Sequence, residues 1–298
     1  MPASFQLGLA YHAIGDFDRA AELLRHNVEA ADRESDRLIT DTRVQSQAWL
    51  ARTLGVLGAF VEGRHHGEEA LRLATLESRG TTPINAHGCL GDLYLTQGGL
   101  AHATRVLEQG LALCHASGNR NWLPTIVAGL GYAAALQGRL TEGRALVEEA
   151  RREGIRTGGL WALAYRIVWL SEVCRLTGHG EEAWQYASQA LDLARQQKER
   201  GHEALALHQL GVIHAHADPP EVTQAEEYYL QALALAEELG MRPLQAHGHR
   251  GLGTLYATTG QREQTRAALS AAIDLYRAMD MTFWLPQTEA ALAQVEGQ

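Results

Sequence analysis

Histidine is the side chain best suited to metal binding and proton transfer near neutral pH, and this 298-residue chain carries 14 of them. The densest grouping is His214-Ala-His216-Ala-Asp218. Residues two apart on a helix point about 200° away from each other, so His214 and His216 cannot share one ion there. The same objection holds for His247 and His249, and the adjacent His65 and His66 also diverge. No HExxH motif occurs. These histidines are read as surface or core side chains, and no metal site is expected.

The other reactive types are equally quiet. Cys89, Cys114 and Cys174 are an odd set without paired spacing, which is no disulfide framework. They are read as small buried hydrophobes. Glu148-Glu149, Glu181-Glu182 and Glu237-Glu238 have the look of solvated helix faces, whereas acid–base catalysis needs a positioned pair with shifted pKa values. GxxxxGK[ST], a glycine fingerprint after a strand and the GxSxG elbow are all absent. No catalytic residue and no cofactor is assigned, and the chain is expected not to be an enzyme.

Bulk properties narrow the partners. The net charge is −9. Binding to a phosphate backbone is driven by clustered Lys and Arg, and no such cluster exists, so nucleic acid is not an expected partner. No apolar run approaches the roughly 20 residues that span a bilayer, and no signal peptide precedes the first amphipathic segment. A reduced, cytoplasmic setting is the simplest reading of the cysteines. Hydrophobic residues make up 46% of the chain, with 30 glycines and only 7 prolines. That balance fits long helices packed closely through small residues.

Those helices repeat. Leu7-Gly8, Leu50-Ala51, Leu90-Gly91, Leu130-Gly131, Leu170-Ser171, Leu210-Gly211 and Leu252-Gly253 recur at spacings of 43, 40, 40, 40, 40 and 42. Seven or eight residues after the leucine stand Gly15, Gly58, Gly98, Gly138, Gly178 and Gly260, where glycine can adopt the left-handed conformation that ends a helix. Small residues follow in phase at Ala20, Gly63, Ala103, Gly143, Ala183, Ala225 and Thr265. Further helix ends are read at Gly80, Gly118, Gly158, Gly201 and Gly240, with Pro83, Pro124, Pro243 and Pro286 near the next starts. The excess of the first unit is placed between helices, around Asp32 to Asp41, and that of the sixth in the turn His216–Glu221.

Leu7-Gly8…Tyr11, Leu90-Gly91…Tyr94 and Leu252-Gly253…Tyr256 resemble the tetratricopeptide repeat, whose signature places a tyrosine three residues after Leu-Gly. The usual unit is about 34 residues, so helices longer by about a turn are expected here. The resemblance implies an all-α, right-handed α-α superhelix of about seven hairpins of roughly 40 residues. One domain is expected over 1–298, with units near 1–43, 44–83, 84–123, 124–163, 164–203, 204–245 and 246–281. Trp122-Leu123-Pro124 recurs as Trp284-Leu285-Pro286, which marks 282–298 as a lone capping helix. Trp49, Trp161, Trp169 and Trp184 are read as packing residues, and Trp122 and Trp284 as staples at helix starts.

The same resemblance implies that first helices line a concave groove, through positions 5 and 2 before the leucine and 2 and 5 after it. Those positions place Arg52, Asn85, Asp92, Tyr132, Tyr165, Glu172, Arg175, His208 and Arg250 there, and they are the candidate binding residues for a peptide or protein ligand. The last quarter of the chain, from Leu239-Gly240-Met241-Arg242-Pro243-Leu244 to Phe283-Trp284-Leu285-Pro286, resembles the C-terminal repeat tails of bacterial multidomain signalling proteins of the nucleotide cyclase and regulatory ATPase type. That implies a protein-interaction scaffold or sensor. A small-molecule-sensing domain using the same groove is the alternative. The first repeat starts at Pro2 without a covering helix, so upstream domains, or self-association through Phe5, Leu9 and Leu23, are expected to meet that end.

Overall fold

The Leu-small pairs mark where two helices touch. A Cβ added at Gly91 would lie 2.4 Å from the Leu107 side chain, and one at Gly253 would lie 2.7 Å from Leu269. At Gly131 it would meet both Val147, at 2.7 Å, and the carbonyl oxygen of Gly143, at 2.8 Å. Any larger side chain would wedge the helices apart. Ser171 uses its position differently, donating its hydroxyl to the carbonyl oxygen of Ala183 at 2.7 Å.

The structure, a computed structural model, describes residues 3–31, 37–77, 81–156 and 163–296. Pro2, Gly80, Gly158 and Trp161 lie outside them, as does the start of the first insertion at Asp32. Fifteen helices run through the described residues in hairpin order. They are α1 (Ala3–Ile14) with α2 (Phe17–Ala31), α3 (Arg37–Leu57) with α4 (Phe60–Glu77), α5 (Thr82–Gln97) with α6 (Leu100–Ser117), and α7 (Leu123–Leu136) with α8 (Leu140–Arg156). Then come α9 (Leu163–Leu176) with α10 (Gly180–Gln197), α11 (Arg200–Ala215) with α12 (Val222–Glu238), α13 (Arg242–Thr258) with α14 (Arg262–Ala278), and the unpaired α15 (Leu285–Glu296). The fold is an all-helical tetratricopeptide-type solenoid.

The six glycines expected to close first helices all sit at positive φ, between 75 and 92°. Gly118 and Gly240 do the same after second helices. Gly201 differs: it lies inside α11, where a Cβ would come within 2.7 Å of the Phe17 ring. Its smallness makes room for another repeat, and the helix end is made instead by Lys198 at φ 58°. Arg37–Asp41 also departs from expectation, since those residues belong to α3 and lengthen it.

The superhelix turns tightly enough to meet itself. Helix α1 touches α11 and α3 touches α13. The end of α5 reaches the turn before α15, where a Cβ at Gly98 would come within 2.8 Å of the Trp284 ring. Each partner lies ten helices further along, a constant offset of five hairpins. Phe17, 4% exposed, fills a socket of Ala204, Ala236, Met241 and Leu244. Gly58 sits against Met279 and Pro243. The N-terminal hairpin is therefore partly covered by the chain's own C-terminal repeats.

Two expectations about exposure are corrected here. Phe5 is 1% exposed, because it belongs to a core cluster that spans the first three hairpins, and cannot form a sticky edge. Leu9 and Leu23 are half-buried, and the exposed large apolar residues of α1 are Leu7 and Ile14. Trp184 is 43% exposed on α10 and is no packing anchor, whereas Trp49 and Trp169 are buried.

Candidate functional site

All seven first helices turn one face towards the inside of the superhelix. Because the coil closes on itself, the groove becomes a central cavity of about 480 Å³. Eight of the nine candidate residues line it: Arg52, Asp92, Tyr132, Tyr165, Glu172, Arg175, His208 and Arg250. Asn85 does not. It is buried along α5 and accepts a hydrogen bond from the Cys89 thiol at 3.4 Å. The equivalent position on α9 carries Tyr165, whose long ring reaches the cavity where the short amide cannot.

Two ion pairs are built into the wall. Arg52 and Asp92 approach to 3.1 Å, with side chains 5% and 4% exposed. The Arg52 guanidinium also lies 5.3 Å from the Trp49 ring and 5.7 Å from the Tyr165 ring, within cation–π range. Burial pushes the Asp92 carboxyl above the usual range, with Arg52 opposing. Among the described residues Asp92 Oδ1 has no hydrogen-bond partner. In the second pair Arg175 grips Glu172 through two hydrogen bonds of 2.9 and 2.8 Å, and Gln209 adds a third at 3.0 Å. Burial alone would raise Glu172, but these donors outweigh it and hold the group ionised, below its ordinary value.

An aromatic wall lies between the pairs. Tyr132 stacks on Trp169 at 5.2 Å, and Tyr165 meets Trp169 at 4.4 Å and His202 at 5.5 Å. On the far side His208 and His247 lie 6.1 Å apart, and His247 Nδ1 is hydrogen-bonded to the Tyr276 hydroxyl at 2.7 Å. Burial, helped by Arg250 and Arg175, pushes His208 down to about 4, and burial, followed by His208 and Arg250, holds His247 well below its ordinary value. Both rings are neutral at physiological pH.

His214 Nδ1 is hydrogen-bonded to Glu221, while His216 Nδ1 bonds to the carbonyl oxygen of Val212 at 2.8 Å, so the two imidazoles serve different partners. Cys89, Cys114 and Cys174 are all buried, and burial pushes their thiols up to about 12, 11 and 11. Among the described residues no helix is long and apolar enough to cross a membrane.

Trp169, Gln209, His202 and Tyr229 line the cavity without having been singled out for it. Trp169 and Gln209 sit one residue before the phase-marking leucine. A bulky or polar residue at that position was the available signal. Phe17, Met241, Leu244 and Trp284 enter the wall through contacts between successive turns, which leave no trace in repeat spacing.

No family model matches the chain, and no curated protein matches it. Solved structures do. A Rap protein complexed with competence and sporulation factor superposes with a TM-score of 0.71 at 13% identity, over 98% of this chain and 84% of that one. NprR in complex with its cognate peptide NprX gives 0.65 at 12% identity, over 98% and 81%. A signal transduction ATPase with a tetratricopeptide repeat sensor from Pyrococcus horikoshii gives 0.59 at 12% identity, over 92% of this chain and 43% of that chain. At such identities the likeness is one of fold. The chain has the architecture of tetratricopeptide-type repeat proteins.

Proposed function

We propose that this chain is a non-catalytic receptor module that holds a short peptide, or an exposed segment of a protein, in its central cavity. The observation that carries the reading is the cavity itself. Eight side chains that the repeat resemblance assigned to a binding groove line one central cavity. That space combines an aromatic wall with fixed ion pairs, the composition of sites that orient a ligand. NprR, of similar fold, holds its cognate peptide NprX, which supports the same use here. The likeness to the repeat sensor of the signal transduction ATPase supports placing the module in a larger signalling protein, where occupancy of the cavity biases partner domains.

The cavity volume also falls within the range of small-molecule sites, about 300–1,000 Å³, which keeps a metabolite-sensing module as the second reading. Thermal melting of the purified chain separates the two. A ligand that binds only the folded state raises the melting temperature. Random short-peptide pools should raise it, and a Tyr132→Ala, Glu172→Gln variant that remains helical should lose the effect. A shift with a metabolite collection and none with peptides would replace the first reading with the second.

A further inference from the structure

Five charged side chains line the cavity, three arginines and two carboxylates. Arg52 pairs with Asp92, and Arg175 with Glu172. Arg250 is the surplus. Its Nη2 donates to Gln287 Oε1 at 3.1 Å and the guanidinium also engages the Tyr276 hydroxyl, both uncharged groups. No carboxylate among the described residues pairs with it. The chain carries a net charge of −9, so an interior with one excess positive charge runs against the average of the molecule.

We infer that the cavity binds its ligand's free C-terminal carboxylate at Arg250, an inference that rests on the peptide-receptor reading above. A single surplus cation is neutralised by a monoanion. The planar guanidinium fork matches a carboxylate with two parallel hydrogen bonds. The surroundings favour the same group. His208 and His247 flank the site as neutral rings, and Thr254 lies one helical turn beyond Arg250 on the same cavity-facing stripe of α13. The Thr254 hydroxyl already donates to the carbonyl oxygen of Arg250 at 2.9 Å, so the guanidinium is the donor that an anion meets there, and none of these neighbours carries a negative charge. The ligand's remaining residues then run from α13 towards the Tyr132–Trp169–Tyr165 wall.

The test uses the full chain and two random-sequence pools of short peptides made without Asp and Glu. One pool has a free C-terminus and the other is C-terminally amidated. Retention by the folded protein is read by native mass spectrometry. The free-acid pool should be retained about tenfold more strongly than the amidated pool, the scale of one charge-assisted hydrogen bond. Arg250→Gln should bring the free-acid pool down to the amidated level, with melting by circular dichroism showing that the variant is folded. Equal retention of both pools by the native chain would overturn the inference and leave the receptor reading standing. So would an Arg250→Gln protein that still prefers the free acid. Retention of neither pool would remove the receptor reading and the inference together.

Discussion

The side-chain amide of Gln97 donates to the backbone carbonyl oxygen of Asp280 at 3.4 Å, although 183 residues of chain separate them. Arg64 donates to the same amide's oxygen at 2.9 Å, fixing its orientation. The contact joins the third hairpin to the turn before α15. It belongs to the same five-hairpin offset that seats Phe17 among Ala204, Ala236, Met241 and Leu244. An open solenoid would have neither.

Phe17→Ala tests this closure. Emptying a socket of that kind costs about 3–5 kcal/mol. Urea unfolding should show the loss. Small-angle X-ray scattering should show an expanded particle while helicity is retained. A destabilised variant of unchanged dimensions would mean that Phe17 packs without holding the turns together.

Helix spacing gives a second prediction. A Cβ at Gly143 would lie 2.6 Å from the carbonyl oxygen of Gly131 and 2.8 Å from the backbone nitrogen of Ala135. Backbone cannot move aside as a side chain does, so Gly143→Ala should cost roughly 1–3 kcal/mol. Gly180 opens α10 with nothing within 4 Å of its added Cβ. Gly180→Ala should be neutral or stabilising, by about 0.5–1 kcal/mol. Equal midpoints in denaturant for the two variants would contradict the close-contact account.

The Arg52–Asp92 pair predicts a non-additive result. Asp92→Asn strands a guanidinium in a wall where its side chain is 5% exposed, a change that typically costs about 3–5 kcal/mol. The double replacement Arg52→Met, Asp92→Leu removes both charges and should recover much of that loss. A double variant as unstable as the sum of the two single changes would show that the pair is not acting as a unit.

Acidity should weaken the fold through the cavity histidines. His208 has an ordinary value of 6.5 and is pushed to about 4 in the folded chain. As pH falls below 6.5 the unfolded chain takes up a proton that the folded one refuses, so stability declines until about pH 4. His12 and His247 are lowered in the same direction. The melting temperature should drop across that window, and His208→Phe should flatten part of the slope. Parallel pH profiles for the native chain and the variant would remove His208 from the account.

What the sequence revealed and what it concealed divide along a physical line. Leu90-Gly91 and Leu252-Gly253 encode contacts inside a hairpin, where an added Cβ would strike Leu107 or Leu269, and such short-range contacts write themselves into spacing. The inward positions came from the resemblance to the tetratricopeptide repeat, and eight of the nine candidates, Tyr132, Glu172 and Arg250 among them, line the cavity. Asn85 shows the limit, because position says where a Cα points and not how far a side chain reaches. The closure was invisible. It depends on the small rotation between neighbouring hairpins accumulated over five units, and no single residue carries that angle. Gly201 is the clearest case: it looked like a helix end and serves as the floor beneath Phe17.

A solenoid is usually free to grow, since one more unit merely extends the rod. Here α1 meets α11, α3 meets α13, and α5 meets the entrance to α15. Insert or delete one hairpin between them and every one of these meetings falls out of step by a whole unit. The residues that meet across turns, Phe17 and its socket among them, are therefore tied to the five hairpins between them, and a duplication inside that span would hand each of them a partner from a different unit.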